Sequence, residues 1–192
     1  MEVSDQELIR RVTKGGDRHA YSQLVRRYQS PLRYSLQRWC HGDFSLAEDL
    51  AQEAFIKAYQ ALPGFRREAR FSTWLYKIAY NVMLSHQRKK RLDTLCSEEE
   101  VERASVSSVE KTSNQVTGME GVDANRDVAA ALAQLSDGQQ QAIHLCLQRG
   151  FSHQETAEIM NIPLGSVKTH VLRGKKKLQA LLKSWQNGVV ND

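Results

Sequence analysis

Aromatic and basic side chains come together in one window of the chain, Phe71–Arg91. The window contains four aromatic residues and ends in four consecutive cations: Phe71, Trp74, Tyr76 and Tyr80, then Arg88, Lys89, Lys90 and Arg91. Cations neutralise phosphates, and aromatic faces stack on unpaired bases. Because duplex DNA offers no unpaired base, this combination predicts a surface that handles single-stranded nucleic acid. The alternative is an amphipathic core helix with a solvated basic end.

A second cationic helix is predicted near the end of the chain. Ser152 and Glu155 form a capping-box pattern at the start of one helix, and the turn 161–163 precedes another that begins near Leu164. This order is typical of a helix-turn-helix, whose second helix enters the major groove of DNA. The cations and polar residues between positions 166 and 177 are therefore candidates for contacts to bases and phosphates. The alternative is a helical hairpin with a solvated Lys-rich helix.

Charge divides the chain into three blocks. Residues 1–92 contain 17 Lys and Arg against 9 Asp and Glu, residues 93–127 contain 3 against 9, and residues 128–192 contain 7 against 4. Two basic blocks separated by an acidic one suggest two polyanion-binding modules. The acidic block is rich in Ser, Thr and Glu and has no apolar period, as in a flexible linker. We therefore predict domains at 1–92 and 128–192, joined by a linker at 93–127.

Helical periodicity runs through both basic blocks, and no stretch predicts a strand, so the expected class is all-α. Helix N-caps are predicted at Ser4, Asp17, Ser45, Ser72 and Ser152. We expect Pro31 in a turn or at a helix start, and Pro63-Gly64 to break a helix. The helix that begins near Ser72 is expected to end at Arg91.

Helical spacing also assigns faces. Phe71 and Trp74 are expected in the core, with Tyr76, Lys77, Tyr80 and Asn81 on the other side of their helix. The preceding helix has an inward stripe that includes Leu50, Ala54 and Ala58. Its outer face is charged but includes Ile56.

Catalysis finds little support in the sequence. No GxxxxGK[ST], HExxH or GxSxG motif occurs, so we predict no enzyme and no cofactor. Cys40 and His41 could donate two metal ligands, but they have no partners at ligand spacing, so no metal site is predicted. Three widely spaced cysteines and no signal-peptide pattern indicate the cytoplasm. The absence of a long apolar run indicates no membrane insertion.

Three motifs of this chain occur, in the same order, in a known protein family. They are DLAQEAFIKAY at Asp49–Tyr59, FSTWLYKIAYN at Phe71–Asn81, and the C-terminal helix-turn-helix. Over Gln6–Trp185 the chain resembles bacterial sigma factors of the extracytoplasmic-function group (group IV of the sigma-70 superfamily). The resemblance implies two small helical domains, called regions 2 and 4, joined by the linker. It also implies a transcription initiation factor of the stress-response type.

The resemblance further implies three sets of site residues. The set expected to dock on the coiled coil of the polymerase β′ subunit is Asp49, Gln52, Glu53, Ile56 and Lys57. The set expected to recognise and melt the minus-ten promoter element is Arg66, Arg67, Arg70, Tyr76, Lys77, Tyr80, Asn81, Arg88, Lys89, Lys90 and Arg91. The set expected to read the minus-thirty-five element is Ser166, Lys168, Thr169, His170, Leu172, Arg173, Lys175, Lys176 and Lys177.

The implied partners are core RNA polymerase, through its β′ and β subunits, and promoter DNA in duplex and single-stranded form. An anti-sigma factor, tethered to a membrane, is expected to hold the chain inactive. Two other functions stay open at this stage. A stand-alone helix-turn-helix regulator would leave the motif Asp49–Tyr59 without a role, and an enzyme that modifies nucleic acid would act without the polymerase.

Overall fold

The computed structural model describes residues 3–66, 68–101 and 130–188, with side chains described to residues 94 and 182 in the last two ranges. These residues form helices and no strand, which confirms the predicted all-α class. The chain divides into two compact units. No helix within the described ranges combines the length and apolar character needed to cross a membrane.

The helices of both units are as follows. The first unit contains α1 (Asp5–Gly15), α2 (Arg18–Trp39), α3 (Phe44–Ala61), a 3₁₀ turn (Leu62–Gly64) and α4 (Phe71–Val101). The second contains a short helical stretch at 130–133, α5 (Asp137–Ile143), a π-helical turn (His144–Gln148), α6 (His153–Met160) and α7 (Leu164–Gly188).

Three of the predicted N-caps are confirmed. The side chains of Ser4, Asp17 and Ser152 accept hydrogen bonds from backbone N–H groups three residues later. The prediction for Ser45 was wrong, because Asp43 has extended backbone and accepts from the Leu46 N–H at 2.9 Å. A carboxylate is as good a cap as a hydroxyl, and here it comes two residues earlier.

Two further boundaries differ from the prediction. Helix α4 begins at Phe71, so Ser72 lies within its first turn and is not the cap. The helix also continues past Arg91 to Val101, since residues 92–101 contain neither Gly nor Pro to stop it. Apart from residues 93–101, the predicted linker 93–127 lies outside the described residues.

Pro31 lies inside α2 and not at a turn or helix start, which corrects the prediction. A proline inside a helix removes one backbone hydrogen bond and costs about 3 kcal/mol. The Pro31 carbonyl nevertheless accepts from the Ser35 hydroxyl at 2.9 Å and from the Tyr76 hydroxyl at 3.1 Å. Helix α2 packs against both α3 and α4, and this packing offsets the cost of Pro31 and keeps the helix continuous.

The core of the first unit lies where α2, α3 and α4 meet. The Tyr21 hydroxyl of α2 donates to the Phe55 carbonyl of α3 at 2.5 Å. The predicted inward stripe of α3 is confirmed by its buried members Leu50, Ala54 and Ala58. Helix α1 covers one end of the core with Leu8, Ile9 and Val12, all buried.

Tyr76 and Tyr80 belong to this core, so their predicted position on the outer face of α4 was wrong. Tyr76 is 1% exposed and Tyr80 5% exposed. Both rings pack edge-on against Trp39 of α2, with centroids at 6.3 and 5.3 Å. Helix α4 is covered by α2 on one side and α3 on another, so its buried arc is wider than a single stripe and includes the two tyrosines.

The second unit depends on close contact between α5 and α7. Gly174 of α7 is buried, and a Cβ atom there would lie 2.5 Å from Ile143 Cδ1. Ile143 in turn packs with Leu132, Leu135 and Leu178 in an apolar cluster. The missing side chain of Gly174 therefore permits this close contact between α5 and α7.

We predict that Gly174→Ala destabilises the chain by about 1–2 kcal/mol. Overpacking against Ile143 costs roughly 1–3 kcal/mol, and the better helix propensity of Ala returns at most about 1 kcal/mol. Denaturant unfolding followed by circular dichroism measures the difference. Gly165→Ala is the matched control on the same helix, because nothing lies within 4 Å of its added Cβ. Equal stability of the two variants would contradict the close-contact role of Gly174.

We also predict that Tyr76→Phe lowers the free energy of unfolding by about 1 kcal/mol, because the hydrogen bond from the Tyr76 hydroxyl to the Pro31 carbonyl is lost. The same denaturant titration measures it. The ring contact with Trp39 stays, so the helical content should not change. A wild-type midpoint for Tyr76→Phe would show that the hydroxyl contributes nothing to the α2–α4 contact.

Candidate polymerase and nucleic-acid interfaces

The predicted polymerase-docking residues form one exposed face of α3. Asp49, Gln52, Glu53, Ile56 and Lys57 are all exposed. Glu53 and Lys57, one turn apart, form an ion pair at 2.7 Å. Ile56 is 59% exposed in the middle of these polar residues. A large apolar side chain surrounded by charges is typical of the centre of a protein interface with a polar rim.

The structure adds Tyr59 to this face. Its ring is 39% exposed and packs edge-on against Tyr21 of α2, with centroids 4.8 Å apart. Tyr59, Ile56 and Phe55 line one shallow hollow together with Tyr21. Sequence reasoning missed Tyr59, although its position three residues after Ile56 places both on the same side of a helix. The apolar part of the face is therefore larger than predicted.

Aromatic rings cluster where the loop between α3 and α4 meets α4. Phe65 of the loop lies 4.9 Å from Trp74 and 6.1 Å from Phe71, between ring centroids. Phe71 is buried, as predicted, whereas Trp74 is only partly buried. Arg66 and Arg70 of the loop are exposed, and the predicted DNA contact Arg67 lies outside the described residues.

A cavity of about 650 Å³ opens beside this loop. Its walls come from Phe65, Arg70 and Phe71, and also from α1 and α2. Asp5 of α1 forms an ion pair with Arg27 and accepts a hydrogen bond from the Tyr28 hydroxyl, so the α1–α2 wall is fixed in place. Sequence reasoning missed this contribution of α1 and α2, because residues 5 and 70 are far apart in the sequence and share no motif.

The predicted minus-ten cations of α4 and Asn81 are exposed along the helix. Lys77 and Asn81 lie on successive turns, and the basic end Arg88–Arg91 follows them. The side chains of these residues are available to a polyanion. The burial of Tyr76 and Tyr80 leaves those two residues without a surface on which a base could stack. The structure thus exposes the predicted cations of α4 and buries the two tyrosines.

In the second unit, α6 and α7 form the predicted helix-turn-helix. Asn161 has a left-handed backbone (φ 53°) and ends α6, and α7 begins directly after Pro163. Val167 and Val171 are buried against the unit, as is Ile159 of α6. The opposite side of α7 is exposed and contains most of the predicted minus-thirty-five residues: Lys168, Thr169, Leu172, Arg173, Lys175, Lys176 and Lys177.

Three residues of that set are more constrained than predicted. Ser166 is half-buried. The His170 ring is half-buried close to Gly138 of α5, where an added Cβ would lie 3.2 Å from Cε1. Lys177 donates from Nζ to the Gln134 carbonyl at 2.5 Å, so its ammonium group is held against residue 134 of the same unit. The exposed residues between positions 168 and 176 are the stronger candidates for DNA contacts.

Cys40 and His41, the possible pair of metal ligands, lie in the turn between α2 and α3. Burial, with a smaller contribution from the Asp43 carboxylate, raises the pKa of the Cys40 thiol to about 11. A metal ligand must be a thiolate, so this environment does not favour metal binding. Within the described residues, no group of three or more His, Cys, Asp and Glu side chains could hold a metal ion.

Two sequence families match this chain. Residues 24–92 match the family Sigma-70 region 2, and residues 125–178 match Sigma-70, region 4. The RNA polymerase sigma-H factor of Pseudomonas aeruginosa is 33% identical over 190 residues, which cover 95% of this chain and 97% of the relative. The ECF RNA polymerase sigma-E factor of Escherichia coli is 32% identical over 191 residues, covering 95% of this chain and 98% of the relative.

Two solved structures share the fold. The sigma factor RpoE in complex with the anti-sigma factor NepR from Bartonella quintana has a TM-score of 0.64 and 27% identity, covering 85% of this chain and 96% of that one. CnrH in complex with the cytosolic domain of CnrY has a TM-score of 0.64 and 25% identity, covering 94% and 97%. The resemblance seen in the three motifs is confirmed, and the chain belongs to the extracytoplasmic-function group of RNA polymerase sigma factors.

Proposed function

We propose that this sigma factor binds core RNA polymerase through the outer face of α3 and directs it to promoters through α4 and α7. The observation that carries this proposal is the separation of chemistry within the first unit. Exposed Ile56 and Tyr59 lie among acidic and polar residues on α3, whereas exposed cations lie along α4. One helix therefore suits a protein partner and another suits a polyanion.

The minus-ten element is read by the first unit in this proposal. The loop 63–70 and the cavity beside it receive an unpaired base, and Lys77, Asn81 and the basic end Arg88–Arg91 hold the strand. The cavity has aromatic walls from Phe65 and Phe71 and a cation at Arg70, which suit a base and its phosphate. The polymerase carries out the polymerisation chemistry, and this chain supplies promoter recognition and strand separation.

The minus-thirty-five element is read by α7 of the second unit. Its exposed face offers Lys168, Thr169 and Arg173 near the N-terminal half of the helix, where a recognition helix contacts base edges. Lys175 and Lys176 follow at the side of the helix and suit phosphates. A stand-alone regulator would need this helix but would not need the apolar face on α3.

In the proposed function, an anti-sigma factor also holds the chain inactive until an inducing signal arrives. Support comes from the two solved relatives. RpoE is bound to the anti-sigma factor NepR, and CnrH is bound to the cytosolic domain of CnrY. An inhibitor that covers Ile56 and Tyr59 would compete with the polymerase. Copurification of the chain from its native cells tests whether such a partner exists.

We predict that Ile56→Arg weakens binding to core RNA polymerase at least tenfold, because it places a desolvated charge at the centre of the interface. Pull-down of the full chain with core polymerase at physiological salt measures the affinity. Thr13→Arg, at an exposed position of α1, adds the same charge elsewhere and should bind like the wild type. Failure of the wild-type chain to bind core polymerase would refute the proposed function.

We predict that Arg173→Ala weakens binding to a specific minus-thirty-five site by about 1–3 kcal/mol and relaxes base preference there. Lys175→Ala should weaken binding to all sequences alike and reduce the salt dependence, as expected for a phosphate contact. Binding of holoenzyme to a library of upstream sequences separates the two effects. Unchanged preference in Arg173→Ala would remove this residue from the base-reading set.

A further inference from the structure

Helices α2 and α4 lie side by side and run in the same direction. Three contacts in increasing residue order establish this: Tyr28 with Phe71 (centroids 5.3 Å apart), the Ser35 hydroxyl with the Tyr76 hydroxyl (3.3 Å), and Trp39 with Tyr80 (centroids 5.3 Å apart). Ser35 and Tyr76 therefore point at each other across the seam between the helices, and both are buried.

This register determines which residues flank the seam on each side. Successive residues of an α-helix are rotated by about 100°. In two parallel helices that face each other through Ser35 and Tyr76, the residue before Ser35 and the residue after Tyr76 turn to the same side. These residues are Tyr34, which is 48% exposed, and Lys77, which is also exposed.

The opposite side of the seam is covered. Leu36 and Leu75, the neighbours in the other direction, are both 0% exposed, because α3 packs there. Arg38 lies one turn after Tyr34 and so flanks the same open side as Tyr34 and Lys77. An exposed aromatic ring and two cations thus share one side of the seam.

Both helices that form the seam lack negative charge where they meet. Helix α2 contains five arginines and no Asp or Glu, although Arg27 and Arg33 are paired with Asp5 of α1 and Glu48 of α3. Residues 71–92 of α4 contain five Lys and Arg and no Asp or Glu. By contrast, α3 contains Glu48, Asp49 and Glu53. The open side of the seam is therefore suited to a polyanion, and Tyr34 supplies a ring on which a base can stack.

We propose that the single-strand binding surface extends from α4 onto α2, where the Tyr34 ring stacks on one unpaired base and Arg38 contacts a neighbouring phosphate. This inference rests on the proposed function, because the strand is exposed only when a promoter is melted. It adds the side of α2 that contains Tyr34 and Arg38 to a surface assigned until now to α4, the loop 63–70 and the cavity beside that loop. An acidic protein segment is the competing occupant of this surface, and an abasic scan of the DNA strand distinguishes the two occupants.

The stacking contact is tested with holoenzyme on a promoter fragment identified by mapping start sites. Single abasic positions are placed in turn along the melted part of the non-template strand, and the dissociation constant of the open complex is measured for each. Tyr34→Ala should bind the intact strand roughly tenfold more weakly, the loss expected for one stacked base. That difference should disappear at one abasic position, and Tyr34→Phe, which keeps the ring, should behave like the wild type across the scan.

Three results would overturn the stacking contact. Tyr34→Ala could bind the intact strand as well as the wild type, or its defect could persist at every abasic position, as it would if Tyr34 contacted an acidic protein segment. Tyr34→Phe could be as defective as Tyr34→Ala, which would assign the effect to the hydroxyl. If wild-type holoenzyme opens no promoter, the proposed function fails together with this inference. If the wild type opens the promoter normally but the defect of Tyr34→Ala is the same at every abasic position, only the stacking role of Tyr34 is refuted.

The phosphate contact is tested by salt dependence with a matched arginine. Arg38→Gln should reduce the slope of log affinity against log salt by about 0.7, the value for one phosphate of a single strand. Arg26 is exposed on α2, whereas Arg38 is partly exposed. Arg26 lies nine residues before Ser35, two and a half turns away, and so points away from α4. Arg26→Gln should leave the slope unchanged. Equal slopes for the two variants would overturn the contact and indicate only a net-charge effect.

Discussion

The seam between α2 and α4 is the contact on which the first unit depends. Tyr76 is buried there, and its hydroxyl bonds to the carbonyl of Pro31 and to Ser35, while its ring and that of Tyr80 pack on Trp39. A buried hydroxyl without a partner would cost about 1–3 kcal/mol, so these bonds fix the register of the two helices. The register in turn determines which residues of α4 remain exposed for the proposed contacts with DNA.

The division of chemistry follows from this packing. Helix α3 covers one side of the seam and keeps its own outer face exposed, with Ile56 and Tyr59 among charges. In the proposed function this face contacts the polymerase. The cations Lys77 and Arg88–Arg91 of α4 stay exposed, whereas Arg33 of α2 forms an ion pair with Glu48 of α3. The three helices thus provide separate faces suited to an apolar ligand and to a polyanionic ligand, as the proposed function requires. In the second unit, the close approach of α5 at Gly174 similarly positions α7 with its cations outward.

Much of this organisation could be predicted from the sequence, because it depends on local signals. Caps at Ser4, Asp17 and Ser152, the inward stripe of α3 and the helix-turn-helix all follow from residues within a few turns of each other. The burial of Tyr76 and Tyr80 could not be predicted in this way. Helical periodicity assumes one buried stripe, whereas α4 packs against both α2 and α3. Pro31 within α2 and the wall that Asp5 contributes to the cavity beside the loop depend on contacts distant in sequence. The three motifs of the family supplied the roles that periodicity could not.

The most direct measurement is the sequencing of transcripts that purified core RNA polymerase makes on genomic DNA with and without this chain. A sigma factor that docks through α3 and reads two elements through α4 and α7 should produce a restricted set of new start sites. These sites should share two short sequences upstream, separated by a nearly constant spacing. Transcripts whose start sites are the same with and without the chain, or new starts without a shared upstream element, would contradict this function.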